Sequence, residues 1–252
     1  MWEGFMAVTA IVPARYASSR FPGKPLALIL GKPMIQWVVE GLMQCSVLDR
    51  IAVASDDERI LSLVRSLGVE AVPTRSDHPS GTDRLAEASQ KLALPPTDWI
   101  VNVQGDEPEV EASMVETLVR TALENPEASM ATLAYASEDP QAYQDPNVVK
   151  VVMDRNGRAL YFSRAPLPHR RDAGAAPVRF HKHLGFYVYR ADFLRIFAAL
   201  PPTPLEMTEK LEQLRALEHG YTIHVGLSPK DSCGIDTPND LLRLETLWRQ
   251  HV

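Results

Sequence analysis

Short apolar runs alternate with longer amphipathic segments along the first half of the chain, and this order constrains the fold more than any other feature. Buried strands are predicted at residues 8–12, 50–54, 69–73 and 99–103. Amphipathic helices are predicted at residues 33–45, 57–67, 82–92 and 114–123. This alternation predicts an α/β fold with a parallel sheet, and ligands of such sheets bind at the carboxyl ends of the strands.

The second half of the chain has a different order of elements. Predicted strands at residues 148–153 and 158–162 flank Asn156-Gly157, a typical hairpin turn, so an antiparallel segment begins here. Residues 166–180 contain three prolines and are predicted to form a loop that is mobile or closes over a ligand. The remaining prediction is a strand at 184–189, helices at 193–200 and 205–219, a strand at 221–225 and a helix at 238–249.

Composition excludes several classes of protein. The 252 residues include 26 basic and 32 acidic side chains, and the net charge of −6 argues against a basic nucleic-acid-binding protein. Two cysteines cannot build a disulfide framework, and no apolar run approaches the roughly 18 residues of a membrane span. Because the first residues lack the basic and apolar regions of a secretory signal, we expect a cytoplasmic protein without a membrane partner.

A basic loop follows the first predicted strand. It contains Arg15, Arg20 and Lys24, and it leaves the strand at its carboxyl end. Arginine binds phosphate oxygens through paired N–H groups and lysine acts as a point charge, so these cations suit a triphosphate. The loop has neither the P-loop nor the dinucleotide-binding glycine pattern, which disfavours both of those folds. A solvated basic loop is the structural alternative.

Two acidic residues are candidate metal ligands. Asp106 follows the fourth predicted strand, and Asp236 precedes the last predicted helix. A hard cation such as Mg²⁺ in a nucleotide site is bound by one or two carboxylates and by phosphate oxygens. Thr237 is predicted to cap the last helix, with Pro238 at its first position, which leaves Asp236 available for a metal. Each acid is alternatively a turn residue.

The start of the helix predicted at residue 82 is a second candidate for ligand contacts. Ser80 and Gly81 precede it, and Arg84 lies in its first turn. Free backbone amides and an arginine at a helix start can hold a phosphate or the edge of a base. The alternative is a structural role, in which Ser80 or Thr82 caps the helix.

Weaker signals occur in the second half. His183 and Tyr187 lie on one face of a predicted strand, where they can contact one ligand or fill the core. Glu212 and Gln213 are by themselves typical of a helix surface. Zinc is not indicated, because His181 and His183 lack partner thiolates or an H-E-x-x-H pattern.

Several of these stretches together resemble the family of 3-deoxy-manno-octulosonate (KDO) cytidylyltransferases, over nearly the whole chain. The motifs that carry the resemblance are P-A-R-Y-A-S-S-R-F-P-G-K-P-L from Pro13, S-G-T-D-R-L-A-E from Ser80, V-N-V-Q-G-D-E-P from Val101, N-V-V-K-V-V from Asn147, L-Y-F-S-R-A from Leu160, H-L-G-F-Y-V-Y-R from His183, L-E-Q-L-R from Leu211 and I-D-T-P-N-D-L from Ile235. The motifs from Pro13 and Val101 are highly specific in combination.

The resemblance implies a fold, a reaction and an assembly. The fold is a three-layer α/β sandwich of the nucleotide-diphospho-sugar transferase type, with a mixed, mostly parallel sheet. The reaction is the Mg²⁺-dependent conversion of CTP and KDO into CMP-KDO and pyrophosphate, which activates KDO for lipopolysaccharide biosynthesis. The single domain, residues 1–252, is expected to divide into a nucleotide-binding half (7–146), an antiparallel insertion for sugar binding and homodimer formation (147–190) and a C-terminal part with the second metal ligand (191–252).

The resemblance also implies roles for particular residues. Asp106 and Asp236 correspond to the metal ligands, which with Arg15 and Lys24 make up the catalytic set. The expected nucleotide contacts are Arg15, Arg20, Lys24, Ser80, Gly81, Arg84 and Gln104. The expected sugar contacts are Arg164, His183, Tyr187, Glu212 and Gln213.

The chain departs from the family pattern at residues 230–233, where Lys-Asp-Ser-Cys replaces a glycine-rich stretch, and at residues 168–180. The nearest alternative function is a cytidylyltransferase for another acid sugar, either a sialic acid or 8-amino-KDO. Sialic acid enzymes carry a different first loop, which argues against that one. A nucleotide-binding regulatory protein of the same fold would release no pyrophosphate. A related glycosyltransferase would need a D-x-D motif, and Gln104-Gly105-Asp106 lacks the first acid.

Overall fold

The computed structural model describes residues 6–17, 21–172, 174 and 176–250. The strands in these ranges are β1 (Val8–Ala14), β2 (Leu28–Ile29), β3 (Lys32–Pro33), β4 (Arg50–Ser55), β5 (Glu70–Pro73), β6 (Trp99–Asn102), β7 (Met130–Ser137), β8 (Lys150–Met153), β9 (Ala159–Ser163), β10 (Phe180–Arg190) and β11 (Ile223–Leu227). The α-helices are α1 (Met34–Met43), α2 (Glu58–Ser66), α3 (Gly81–Lys91), α4 (Ala112–Glu124), α5 (Pro140–Gln144), α6 (Ala191–Ala199), α7 (Pro204–Glu209), α8 (Gln213–Glu218) and α9 (Pro238–Arg249). No helix within these ranges combines the length and apolar character that a membrane span requires.

The main sheet has the strand order β11-β7-β10-β6-β1-β4-β5. Strand β1 pairs in parallel with β4 on one side and with β6 on the other, and β4 pairs in parallel with β5. These are the four strands that the sequence predicts, so the predicted parallel sheet is confirmed. The carboxyl ends of β1, β4 and β6 therefore meet at one edge.

Helices cover both faces of this sheet and form a three-layer sandwich. One hydrophobic core joins the sheet to α1, α2 and α4, and a second joins it to α3, α6 and α8. The two faces are separated by strand alternation: Val101 of β6 belongs to the first core and its neighbour Ile100 to the second. The expected α/β class and layer arrangement are confirmed.

The second half of the chain adds antiparallel strands to the same sheet. Strands β8 and β9 form the predicted hairpin, with Gly157 at a φ of 79° in the turn. Strand β10 lies in the main sheet, antiparallel to β6 on one side and to β7 on the other, and it also pairs with β8. The sequence does not predict β7, whose three alanines give a weak strand signal.

The prediction of a single helix at residues 205–219 is wrong. The structure has two short helices, α7 and α8, separated at Lys210, which adopts the left-handed conformation with a φ of 55°. A helix cannot continue through such a residue. The apolar periodicity runs across the break and therefore conceals it.

The predicted start of the last helix is confirmed. Thr237 caps α9 by accepting a hydrogen bond from the backbone N–H of Asp240, and the Asp240 carboxylate accepts one from the backbone N–H of Thr237 at 2.8 Å. Pro238 is the first helical residue. This reciprocal capping holds the chain immediately after Asp236.

Close packing between α1 and the loop before α4 gives a test of the fold. A Cβ atom on Gly41 would lie 2.6 Å from the carbonyl oxygen of Val110 and 2.9 Å from its side chain. We therefore expect Gly41→Ala to lower the free energy of unfolding by about 1–3 kcal/mol, although alanine favours a helix. Urea denaturation would measure the change.

Gly174→Ala is the matched control, because a Cβ there meets no described atom within 4 Å. Its unfolding curve should coincide with that of the wild type. A Gly41→Ala variant as stable as the control would contradict the tight contact with Val110.

Candidate active site

A cleft of about 270 Å³ lies at the carboxyl ends of β1 and β6 and at the start of α3. It collects residues from four separate parts of the sequence, because the parallel pairing of β1 and β6 places those ends together. The predicted residues that line it are Arg15, Lys24, Ser80, Gly81, Arg84, Gln104, Asp106 and Asp236. Arg20, the third predicted cation of the first loop, lies outside the described residues.

Lys24 links the two candidate metal ligands. It begins a short 3-10 turn, Lys24–Leu26, and its side chain is mostly buried. The ammonium group contacts the carboxylate of Asp106 and lies 3.4 Å from Oδ1 of Asp236. The two carboxylates thus converge on one point, where they stabilise a positive charge. Carboxylate oxygens of this kind are the donors that a hard divalent cation prefers.

Two arginines contribute to the cleft in different ways. Arg15 is exposed just beyond β1 and is available to a ligand in solution. Arg84 is buried, donates to the hydroxyl of Thr74 at 2.5 Å and pairs with Asp56 at 3.2 Å. Burial lowers the pKa of Arg84. Arg84 therefore ties α3 to the segments that follow β4 and β5, in addition to lining the cleft.

The start of α3 combines capping with close backbone packing. Ser80 caps α3 by accepting from the backbone N–H of Asp83 at 3.2 Å, so the structural alternative for Ser80 is realised while the residue also lines the cleft. A Cβ on Gly81 would lie 3.5 Å from Oε1 of Gln104. The amide nitrogen of Gln104 donates to Oδ1 of Asn102 at 3.2 Å, which leaves its Oε1 on the side of Gly81 as an acceptor.

His78 lines the cleft although the sequence patterns do not single it out. Its imidazole contacts the carboxylate of Glu87, which also binds Lys91 and the backbone N–H of Arg75. Burial opposes ionisation of Glu87, but the hydrogen bonds from Lys91 and His78 dominate and lower its pKa to about 2. Its position in the sequence could have indicated this, because His78 lies only two residues before Ser80, which was a candidate for ligand contacts.

Arg164 is held rigidly at a distance from the cleft lining. Its guanidinium donates to the backbone carbonyls of Glu209 at 2.7 Å and Pro146 at 3.0 Å. Next to it, the fully buried ammonium of Lys150 donates to the carbonyls of Asp145, Val148 and Arg164 itself, at 2.7–2.9 Å. All three N–H donors of the lysine are therefore used to fix the backbone around Arg164.

The hydrogen bonds around His183 define its tautomer. The hydroxyl of Thr132 donates to the carbonyl of Phe186 at 2.7 Å, so its oxygen accepts the proton of His183 Nε2 at 2.9 Å. Nδ1 of His183 is then a hydrogen-bond acceptor. The imidazole packs against the ring of Tyr187, with centroids 5.4 Å apart, and burial lowers its pKa to about 3.

Glu212 and Gln213 lie at the start of α8, just after the break at Lys210. The hydroxyl of Thr82 donates to Glu212 at 2.5 Å, and burial raises the pKa of this carboxyl group. Gln213 is buried, so the typical helix-surface interpretation is wrong for it. Glu212 lines a second cavity of about 530 Å³, which shares Pro79 and Ser80 with the cleft.

Asp106 and its neighbour Glu107 have different partners. Asp106 lines the cleft, whereas Glu107 accepts a hydrogen bond from the hydroxyl of Ser232 at 2.6 Å. Burial, with the nearby charge of Asp106, raises the pKa of Glu107 to about 8. The sequence pattern shows two adjacent acids, and only the fold shows that Asp106 lines the cleft while Glu107 binds Ser232.

Comparison with known proteins places this chain in a family. A cytidylyltransferase family matches residues 9–223. A 3-deoxy-manno-octulosonate cytidylyltransferase from Syntrophobacter fumaroxidans is 58% identical over 94% of this chain and 94% of that protein. One from Syntrophotalea carbinolica is 54% identical over 97% of this chain and 99% of that protein.

Solved structures agree with these relatives. A structure of CMP:2-keto-3-deoxy-manno-octonic acid synthetase complexed with CTP superimposes with a TM-score of 0.90 and 40% identity, and the match covers 98% of this chain and 100% of that chain. A cytidylyltransferase from Leptospira borgpetersenii, with a TM-score of 0.63 and 15% identity over 96% of this chain and 86% of that chain, shares the fold.

The three-layer fold is that of a cytidylyltransferase. Several relatives with high sequence identity over almost their whole length show which kind of cytidylyltransferase this is. The chain belongs to the family of 3-deoxy-manno-octulosonate cytidylyltransferases. The resemblance seen in the sequence motifs is confirmed.

The environment of His183 predicts how stability depends on pH. Its pKa is about 3 in the folded protein against 6.5 for an ordinary histidine. Between these values the unfolded state binds the extra proton, so the folded state loses stability as the pH falls below about 6.5. Between pH 7 and pH 5, the free energy of unfolding should therefore fall by about 2 kcal/mol less in His183→Gln than in the wild type. Urea denaturation at several pH values measures this slope, and an unchanged slope would contradict a His183 imidazole that stays neutral in the folded protein.

Proposed function

We propose that the protein transfers a cytidylyl group from CTP to KDO and releases pyrophosphate, with Mg²⁺ as cofactor. The observation that carries the proposal is the convergence of Asp106 and Asp236 on Lys24 in a cleft that also exposes Arg15. The names of the relatives, and the CTP bound in the similar solved structure, support the choice of nucleotide and sugar acid.

The reaction mainly requires alignment and neutralisation of phosphate groups. The anomeric 2-hydroxyl of KDO attacks the α-phosphorus of CTP and gives up its proton to water, a new P–O bond forms, and the bond to the leaving pyrophosphate breaks. Lys24 and Arg15 hold the triphosphate and offset the negative charge that builds up on the leaving group. Gln104, with its Oε1 beside Gly81, is placed to accept a hydrogen bond from the nucleoside.

Asp106 and Asp236 fit a divalent cation in this scheme. They are hard oxygen donors around a point that already holds a positive charge, and phosphate oxygens complete such a site. The chemistry that a bound Mg²⁺ supplies here is charge neutralisation at the α-phosphate and the attacking hydroxyl. With a cation held by Asp106 and Asp236, the ammonium group of Lys24 would be available to the phosphates.

The sugar acid is proposed to bind next to the cleft, around the break between α7 and α8. Three N–H groups of Arg164 donate to backbone carbonyls, and its two others suit the sugar carboxylate. Nδ1 of His183 suits a sugar hydroxyl, and Tyr187, Glu212 and Gln213 complete the proposed contacts. Homodimer formation, cytoplasmic location and the division at residues 147 and 190 stay predictions.

Pyrophosphate release tests the proposed substrate. The wild-type protein with CTP and Mg²⁺ would be assayed with KDO, 8-amino-KDO, a sialic acid and a hexose 1-phosphate. We expect rapid release with KDO alone. Release with a different sugar only would retain the reaction and change the substrate, whereas no release with any of them would favour a regulatory nucleotide-binding protein.

Asp106→Asn tests the cation site. We expect the turnover number to fall by about 10²-fold or more, because one charged ligand is lost where charge builds up in the transition state. Pyrophosphate release over a range of Mg²⁺ concentrations measures the effect. Glu111→Gln is the matched control, since Glu111 pairs with Lys230 at the surface. A near-wild-type rate of Asp106→Asn at saturating Mg²⁺ would contradict the role of Asp106.

A further inference from the structure

Lys182 of β10 binds a segment that lies 50 residues further along the chain. Its ammonium donates to the backbone carbonyl of Ser232 at 2.9 Å, and it lies 2.8 Å from the carboxylate of Asp231. The sulfur of Cys233 is 3.4 Å away. The lysine side chain is only 12% exposed, so these groups replace water around its charge.

The carboxyl end of β6 binds the same segment through further contacts. Ser232 donates its hydroxyl proton to Glu107 at 2.6 Å, and the backbone N–H of Ile235 donates to the carbonyl of Asp106 at 2.9 Å. A Cβ on Gly234 would lie 2.9 Å from the Glu107 carboxylate, so the segment passes directly against that side chain. Residues 231–235, called the 231–235 segment below, are thus fixed at several points.

These contacts end immediately before Asp236. On its other side, Asp236 donates its backbone N–H to Asp240 at 3.2 Å, and Thr237 caps α9. Asp236 therefore connects two anchored stretches of chain, and its side chain is half exposed on the cleft. Its distance from Asp106 depends on both anchors, because Asp236 follows no strand of the main sheet.

We propose that Lys182 is a positioning residue that holds Asp236 opposite Asp106 through the 231–235 segment. The inference rests on the proposed role of these two carboxylates as cation ligands. Ligand-supporting groups of this kind reduce the conformational freedom that a site loses when the cation binds. Because Lys182 contacts the 231–235 segment, we expect removal of its ammonium group to weaken cation binding more than sugar binding.

The test substitutes Lys182 and measures cation binding directly. Mn²⁺ serves as a spectroscopic substitute, and electron paramagnetic resonance reports its binding to the protein in the presence of CTP without sugar. We expect Lys182→Met to weaken Mn²⁺ binding about tenfold and to raise the Mg²⁺ concentration for half-maximal rate by a similar factor. The KM for KDO should change by less than about twofold.

Two further variants separate positioning from general damage. Lys182→Arg retains a cation that can bind Asp231 and the Ser232 carbonyl, and it should restore most of the Mn²⁺ affinity. Lys230→Met removes a neighbouring lysine whose partner is Glu111 at the surface, and it should bind Mn²⁺ like the wild type. If Lys182→Met does not fold, Asp231→Asn removes the charge that pairs with Lys182 and tests the same contact.

The outcomes distinguish this inference from the proposed function. If Asp106→Asn binds Mn²⁺ as tightly as the wild type, the proposed cation site itself is wrong. If Asp106→Asn loses Mn²⁺ binding but Lys182→Met and Asp231→Asn retain it, the cation site stands and the positioning role is overturned. A rise in the KM for KDO with unchanged Mn²⁺ affinity would also overturn it.

Discussion

The parallel pairing of β1 with β4 and β6 is the constraint on which the site depends. Since the three strands run in the same direction, their carboxyl ends meet at one sheet edge. The basic loop lies far from Gln104 and Asp106 in the sequence. The strand pairing makes them neighbours at this edge. Arg84 then fixes the start of α3 to the same edge through Thr74 and Asp56.

Charge balance explains how the cleft is stable before a ligand arrives. Two carboxylates at close range repel each other, and the ammonium of Lys24 between them offsets that repulsion. In the proposed function, Asp106 and Asp236 would hold a divalent cation, and Lys24 would bind the phosphates of the nucleotide. The exposed Arg15 adds attraction for a polyanion at the entrance.

Buried polar groups outside the cleft determine where the proposed sugar-binding residues lie. Lys150 uses its three donors on backbone carbonyls and so fixes the backbone of Arg164, while Thr132 fixes the tautomer of His183. The left-handed residue Lys210 breaks the helix and brings Glu212 to Thr82 of α3. A buried polar group without a hydrogen-bond partner destabilises the folded state. Because these groups have partners, they favour one conformation of the surrounding chain.

Local patterns in the sequence determined the four parallel strands, the hairpin turn at Gly157, the cap at Thr237 and the candidate residues of the first loop. Periodicity and capping act over a few residues, so they can be read from the chain directly. The position of β10 between β6 and β7, the break at Lys210 and the contact of Glu107 with Ser232 beside the cleft residue Asp106 were decided only by the tertiary structure. Each depends on contacts between residues distant in sequence, such as Glu107 with Ser232, and no local pattern records which distant groups will exclude water or pair their hydrogen bonds.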